Sequence, residues 1–401
     1  MRKLAVVAAL AVAATAASTA TALPASAGPP QWTIQTTTNP IGTSGGNVLQ
    51  AVSCPSATAC LAVGYTKQGH VVKAIAESWN GTSWTTVSSP APVKAFVSDL
   101  GAVSCTSATA CAAVGTYRDF GGTQYVLAET WNGTSWTVPY AQQPAGTQPV
   151  LSGVSCVSAD FCEAVGSYWS QSPPSYTDLA EVWNGQFWAI QTTQAMWTKM
   201  RFELNSVSCS SRLFCLAVGQ YESLFGSAPY SATWAEQWNG SSWIGLFPDV
   251  EGATSDLAGV SCTAATTYCT AVGGYQNASG NGFPLAERWN GSAFSLQFPA
   301  SSILASGMTF TGVSCPAPTA CTAVGTTNVP AISPSTYVTV AQSWNGSSWT
   351  LDNTPNPPSA VSSILNGVSC PVTGLCTGVG SSSGPTPSGP PPVSTLAERY
   401  S

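Results

Sequence analysis

The tripeptide Val-Ser-Cys occurs seven times, with its cysteine at 54, 105, 156, 209, 262, 315 and 370, in steps of 51, 51, 53, 53, 53 and 55 residues. A repeat of that period means one supersecondary unit per repeat, each burying its apolar face against its neighbours. The unit reads Leu-x-small-Val-Ser-Cys, a gap of five or six residues, Cys-x-Ala-Val-Gly, a variable stretch, Leu-Ala-Glu-x-Trp-Asn-Gly, then x-Ser-Trp. The second unit shows it cleanly in Leu100, Val103, Ser104, Cys105, Cys111, Ala113, Val114, Gly115, Ala128, Glu129, Trp131, Asn132, Gly133 and Trp136.

Each unit holds four short β-type runs. The first ends at the first cysteine, the second carries Cys-x-Ala-Val-Gly, the third Ala-Glu-x-Trp, and the fourth starts at the second aromatic of the Trp pair. Asn-Gly between the third and fourth is a hairpin signal, because both residues tolerate positive φ. No 3.6-residue apolar period is sustained after the first segment, so an all-β fold is expected. The seventh unit stops at Leu396-Ala397-Glu398-Arg399-Tyr400-Ser401, without a fourth run. Gln31-Trp32-Thr33-Ile34, followed by Asn39-Pro40, matches Ser348-Trp349-Thr350-Leu351, followed by Asn356-Pro357. The run over 31–37 is therefore expected to pair beside Tyr400 and remove an exposed sheet edge.

Four strands per unit, seven units and a split unit at the ends resemble a seven-bladed β-propeller, with ring closure similar to that of WD40-type propellers. The Gly-His and Trp-Asp signatures of that family are absent. The Cys-pair, Ala-Val-Gly and Trp-Asn-Gly pattern is similar to secreted actinobacterial propellers of largely unassigned function, and Trp-x-Gly-x-x-Trp resembles lectin propellers. The resemblance implies one propeller domain over 28–401 in which each blade has four antiparallel strands.

Residues 1–27 are set apart. Arg2-Lys3 precede an apolar, Ala/Val-rich stretch from Leu4 to Ala20, and Ala25-Ser26-Ala27 forms a small-x-small cleavage site. This is the pattern of a secretory signal peptide, so a secreted, extracellular protein is expected. After it, no stretch is long and apolar enough to span a membrane. Cysteine usage agrees with an oxidising compartment. The 14 cysteines form seven local pairs, Cys54/Cys60, Cys105/Cys111, Cys156/Cys162, Cys209/Cys215, Cys262/Cys269, Cys315/Cys321 and Cys370/Cys376, each expected to be an intrablade disulfide. Zinc is the competing use of paired cysteines, but zinc pairs sit closer together and need partner pairs or histidine. No metal and no cofactor are expected.

Only 7% of residues are charged, and the formal net charge is −6. Such a surface does not track a phosphate backbone, which excludes nucleic acid as a partner. A single histidine, His70, limits triad chemistry, and no thiol nucleophile remains once the cysteines are oxidised. The strand-three acids Glu77, Glu129, Glu181, Glu236, Glu287 and Glu398, with Gln342 in the sixth unit, are read as structural hydrogen-bonding groups because they recur. Five Asn-Gly-Ser/Thr sequons, at Asn80, Asn132, Asn239, Asn290 and Asn345, are read as turns.

Binding is expected where the repeats differ, on the face formed by the variable second-to-third and fourth-to-first connections. Twelve of the 15 tryptophans belong to the motif. Trp234 takes a strand-three core position, which leaves Trp169 and Trp197. The candidate ligand residues are Trp169, Tyr176, Trp197, Lys199, Arg201, Tyr221, Phe225 and Tyr230, with Trp169 and Trp197 as anchors in loops. No catalytic residue is assigned. Three function classes remain open: a non-enzymatic binding propeller, expected as a monomer, whose ligand is a glycan or an extracellular protein; a secreted glycoside hydrolase; and a purely structural cell-envelope protein. A glycosidase needs two carboxyls about 5–10 Å apart. The acids expected in loops are Asp99, Asp119, Asp178, Glu203, Glu222, Asp249, Glu251 and Asp256, and none forms a recognisable local pair. A sialidase arginine triad is not provided either, since only Arg118 and Arg201 fall on the variable face.

Overall fold

The structure, a computed structural model, describes residues 30–401 except 41–44, 91, 173, 195–199, 224–229, 249–251, 301–305, 330–335, 359 and 386–391. Among the described residues there are strands and no helix. The first strand, β1 (Trp32–Gln35), stands apart in sequence from the sheet it joins. Next come β2 (Gly46–Ser56), β3 (Ala59–Gln68), β4 (Val71–Trp79) and β5 (Trp84–Val87), paired antiparallel in that order. The same sheet recurs as β6 (Ala95–Ser107), β7 (Ala110–Asp119), β8 (Gln124–Trp131) and β9 (Trp136–Thr137). It recurs as β10 (Thr147–Ser158), β11 (Phe161–Gln171), β12 (Pro174–Trp183) and β13 (Trp188–Gln191). A further copy is β14 (Met200–Ser211), β15 (Phe214–Ser223), β16 (Tyr230–Trp238) and β17 (Trp243–Leu246).

The later repeats follow suit. They are β18 (Thr254–Cys262), β19 (Cys269–Gln276), β20 (Gly282–Trp289) and β21 (Phe294–Gln297), then β22 (Ser306–Ala317), β23 (Ala320–Val329), β24 (Thr336–Trp344) and β25 (Trp349–Asp352). The last three strands are β26 (Ser362–Val372), β27 (Leu375–Ser383) and β28 (Val393–Tyr400). Their fourth is β1, antiparallel to β28 in the register Trp32↔Tyr400 to Gln35↔Ala397. The split repeat predicted that pairing.

The repeated residues have identifiable jobs. Every disulfide joins a local pair across a first hairpin: Cys54–Cys60, Cys105–Cys111, Cys156–Cys162, Cys209–Cys215, Cys262–Cys269, Cys315–Cys321 and Cys370–Cys376. No free cysteine is present among the described residues. The second cysteine of every pair is buried, namely Cys60, Cys111, Cys162, Cys215, Cys269, Cys321 and Cys376. Each sits on the second strand of its sheet, packed among apolar side chains of the core clusters. These bridges are therefore staples of the scaffold.

In Ala-Val-Gly the glycine faces a bulge of the first strand. A Cβ on Gly64 would lie 2.0 Å from the Val48 carbonyl oxygen, so no other residue fits. First strands of neighbouring sheets also crowd one another: a Cβ on Gly367 would lie 3.2 Å from the Ala51 Cα. Between sheets sits the core, for example Val114 and Val126 of one sheet against Leu151 and Trp188 of the next. Each fully buried side chain of this kind contributes roughly 1.5–3 kcal/mol.

The serine of Val-Ser-Cys links one repeat to the next. Ser53 Oγ accepts the Cys105 N–H at 2.9 Å, and Ser104, Ser155, Ser208, Ser261 and Ser314 each accept the following Cys N–H at the same distance. In the Asn-Gly turns Asn80 Oδ1 accepts the N–H groups of Thr82 and Ser83, and Gly81 adopts φ 97°. The strand-three acids are fully buried. Glu77 accepts the Thr38 N–H and Glu129 the Ser89 hydroxyl, while Gln342 exchanges two hydrogen bonds with the backbone of Ala300. Each thereby ties down the segment that follows the outer strand of a neighbouring sheet.

Candidate functional site

The site forms where the hairpins outrun the motif. Strands β11 and β12 stay paired as far as Gln171↔Pro174, so Trp169 and Tyr176 face each other in register. Trp169 was expected in a loop; it lies in a strand, because the β11–β12 ladder runs unbroken past the motif to the turn. Their rings meet edge to face, with centroids 5.2 Å apart. The Arg201 guanidinium sits 4.2 Å above the Tyr176 ring. It also pairs with Glu203 at 2.6 Å and with Glu222 at 3.5 Å.

Beside this cluster opens a cavity of about 850 Å³. The β7–β8 hairpin lines it with Arg118, Gly122, Thr123 and Gln124, the start of β10 with Gly146, Thr147, Gln148 and Val150, and three further strands with Ser167, Tyr176, Arg201 and Glu203. Gln148 is one of two non-glycine residues with positive φ, at 54°, among the described residues. It marks a register break between Thr147 and Val150. Left-handed backbone at such a residue costs of order 1 kcal/mol and persists only when its surroundings hold it. Here the Tyr176 hydroxyl donates to Gln148 Oε1 at 3.0 Å. Gln124 is fixed at both ends of its amide: Nε2 donates to the Pro149 carbonyl at 3.0 Å, and Oε1 accepts from Arg118 at 3.1 Å.

The structure thus brings together three of the candidate ligand residues, Trp169, Tyr176 and Arg201. Tyr221 goes elsewhere: its ring lies 6.1 Å from Phe202 and packs on the core cluster around Trp234. Trp197, Lys199 and Phe225 lie outside the described residues, as does the Tyr230 side chain; Tyr230 itself pairs with Ser223 at the start of β16. Gln124 and Gln148 escaped the sequence reading, because nothing in a repeat marks a glutamine at a hairpin end or at a register break.

Several acids expected in loops lie in strands instead: Asp99 in β6, Asp119 at the end of β7, Asp178 in β12, Glu203 in β14, Glu222 in β15 and Asp256 in β18. Asp249 and Glu251 lie outside the described residues. Asp178 is the clearest correction. It is 5% exposed, and its Oδ2 accepts the Trp234 indole N–H at 3.1 Å. Burial pushes its carboxyl well up, reinforced by the Glu236 carboxyl beside it. Trp234 is fully buried, as its core position implied. His70 is exposed in the turn between β3 and β4.

No protein-family model matches the chain, and no curated protein matches it. Solved structures do resemble it. A protein of unknown function from Dyadobacter fermentans superposes with a TM-score of 0.51 at 9% identity, over 92% of this chain and 98% of that one. A GH74 xyloglucanase from Xanthomonas campestris gives 0.50 at 12% identity, over 92% of this chain; the likeness spans 55% of the xyloglucanase. A fungal lectin from Aleuria aurantia, described as a six-bladed β-propeller with fucose recognition, gives 0.39 at 11% identity, over 74% of this chain and 93% of the lectin. The fold is of β-propeller type. Within these sheets the β7–β8 hairpin and the start of β10 that line the cavity lie at the strand ends opposite the disulfide-bridged hairpins.

Proposed function

We propose that the chain is an exported, non-enzymatic, seven-bladed β-propeller that binds a glycan on its variable face. Residues 1–27 serve as the signal peptide, and residues 28–401 form one domain closed by β1. Each Val-Ser-Cys serine bonding to the next repeat supports that closure. So does a channel of about 250 Å³ lined from every repeat, from Gln50 to Asn366. Seven disulfides fit an extracellular setting, and among the described residues no helix is long and apolar enough to cross a membrane.

One observation carries the choice of binding over hydrolysis. Among the described lining residues of the cavity the one carboxylate is Glu203, and Arg201 holds it in an ion pair. Glycoside hydrolysis uses two carboxyls, one of them free to protonate a leaving group. What the cavity does offer suits sugar hydroxyls: planar amides from Gln124 and Gln148, the guanidiniums of Arg118 and Arg201, and the Tyr176 ring, against which Trp169 packs. Its volume is within the usual range for small-ligand sites, about 300–1,000 Å³. On the strength of the sequence alone, Trp197, Lys199, Phe225 and Tyr230 are kept in the proposal as ligand residues, with Trp169 and Trp197 as anchors.

A glycan array and a panel of chromogenic glycosides, both run on residues 28–401, test the reading. Binding without turnover is expected, weakened by Tyr176→Ala and by Trp197→Ala. Turnover would instead establish a glycoside hydrolase, and binding to neither panel would discard the glycan.

A further inference from the structure

Cations are scarce in this chain, with 11 Lys and Arg among 401 residues, yet two arginines meet at one cavity. Their situations differ. Arg201 is neutralised by Glu203 and Glu222 and lies on Tyr176. Arg118 is exposed and, among the described residues, has no carboxylate within ion-pair distance. Its neighbour Asp119 does not serve. Successive side chains of a strand point to opposite faces, and Asp119 is occupied by the Thr123 N–H at 3.0 Å and the Tyr125 hydroxyl at 3.2 Å.

Arg118 is nevertheless held in place. Gln124 Oε1 accepts one of its N–H groups, and Gln124 is itself anchored on the Pro149 carbonyl. The remaining guanidinium donors stay available at the cavity. Gln148 adds to them: its Oε1 is taken by Tyr176, so its amide offers N–H. A positioned guanidinium is a planar set of donors that matches a carboxylate through two parallel hydrogen bonds.

We propose that the cavity between the β7–β8 hairpin and Tyr176 is an acidic-sugar site, in which Arg118 pairs with the carboxylate of a uronic-acid-type residue. This rests on the glycan reading above and narrows it from sugars in general to carboxylated ones.

Isothermal titration of residues 28–401 with three probes tests it: oligogalacturonides, the same oligosaccharides after reduction of their carboxyls to alcohols, and a sulfated oligosaccharide. Each is repeated with Arg118→Gln, whose folding is checked by thermal unfolding. The carboxylated probe is expected to bind best, and Arg118→Gln to weaken it roughly tenfold or more, as losing one partner of a charged pair does. The reduced probe should bind wild type and variant alike. Equal binding of reduced and carboxylated probes, preference for the sulfated one, or no effect of Arg118→Gln overturns the acidic-sugar site and leaves the glycan reading standing. Failure of all three probes, together with silence on the neutral glycans of the array, overturns both.

Discussion

Ser369 Oγ accepts the backbone N–H of Cys54 at 2.9 Å, across a sequence separation of 315 residues. The other six Val-Ser-Cys serines make the same bond forward to the next repeat, at separations of 52 to 56. The seventh returns to the first. A serine kept in every repeat thus satisfies the cysteine N–H of the neighbouring repeat.

Removing that hydroxyl leaves a half-buried N–H without its partner, at a cost of about 1 kcal/mol. Ser104→Ala and Ser369→Ala are therefore each expected to lower the unfolding midpoint, and by similar amounts. Denaturant unfolding of both variants measures this. A harmless Ser369→Ala beside a damaging Ser104→Ala would mean that the ends are not joined like the other repeats.

The buried acids set an unusual pH dependence. Burial raises Glu77 and Glu129 to about 7 and Glu163, Glu181 and Glu398 to about 8. Between the ordinary carboxylate range and those values the native state binds more protons than the unfolded state, so stability falls as pH rises. The loss is complete once pH passes the folded-state values. Thermal unfolding is expected to be highest near pH 4–5, to decline to about pH 8 and then to level off with respect to these groups. A midpoint that climbs from pH 5 to pH 8 would contradict the assignment.

Glu181 is the acid to change. Neither of its side-chain oxygens has a hydrogen-bond partner among the described residues, and the sixth repeat already carries Gln342 at the equivalent position. Glu181→Gln should raise stability at pH 8 by about 1 kcal/mol or more, because the amide needs no deprotonation to match the unfolded state. At pH 4.5 the two proteins should differ little. Calorimetry at both pH values separates this from a general packing effect.

Asp178 and Trp234 depart from the repeat together. Trp234→Leu restores the usual strand-three residue but strips Asp178 of its indole donor. The single change is expected to cost about 2 kcal/mol or more, and adding Asp178→Ala should recover part of it. A double-mutant cycle reads that coupling; purely additive losses would show that the pair is coincidental.

The strand order, the local disulfides and the β1–β28 pairing were legible because each is written several times or at a fixed offset. Trp234 was readable as core, since six sister positions show what belongs there. The partner of each Val-Ser-Cys serine was not, because it lies one repeat away and a hydroxyl suits many turns equally well. Asp178 looked like a loop acid for want of any local sign that a tryptophan 56 residues on would donate to it. The cavity was half legible. Arg118 and Arg201 could be assigned to the variable face, but their convergence depends on how far the β7–β8 and β11–β12 hairpins extend. Side-chain pairing, not the repeat, sets that length.

Thr33 of β1 and Arg399 of β28 are 366 residues apart. At translation rates of about 5–20 residues per second, the first strand made therefore waits on the order of 20–70 s for its partner. Until then β1 lacks the strand it pairs with in the finished fold, the eight-residue β28. A ribosome stalled before Leu396 should hold Trp32–Gln35 accessible to protease, and release of the last residues should protect it in one step.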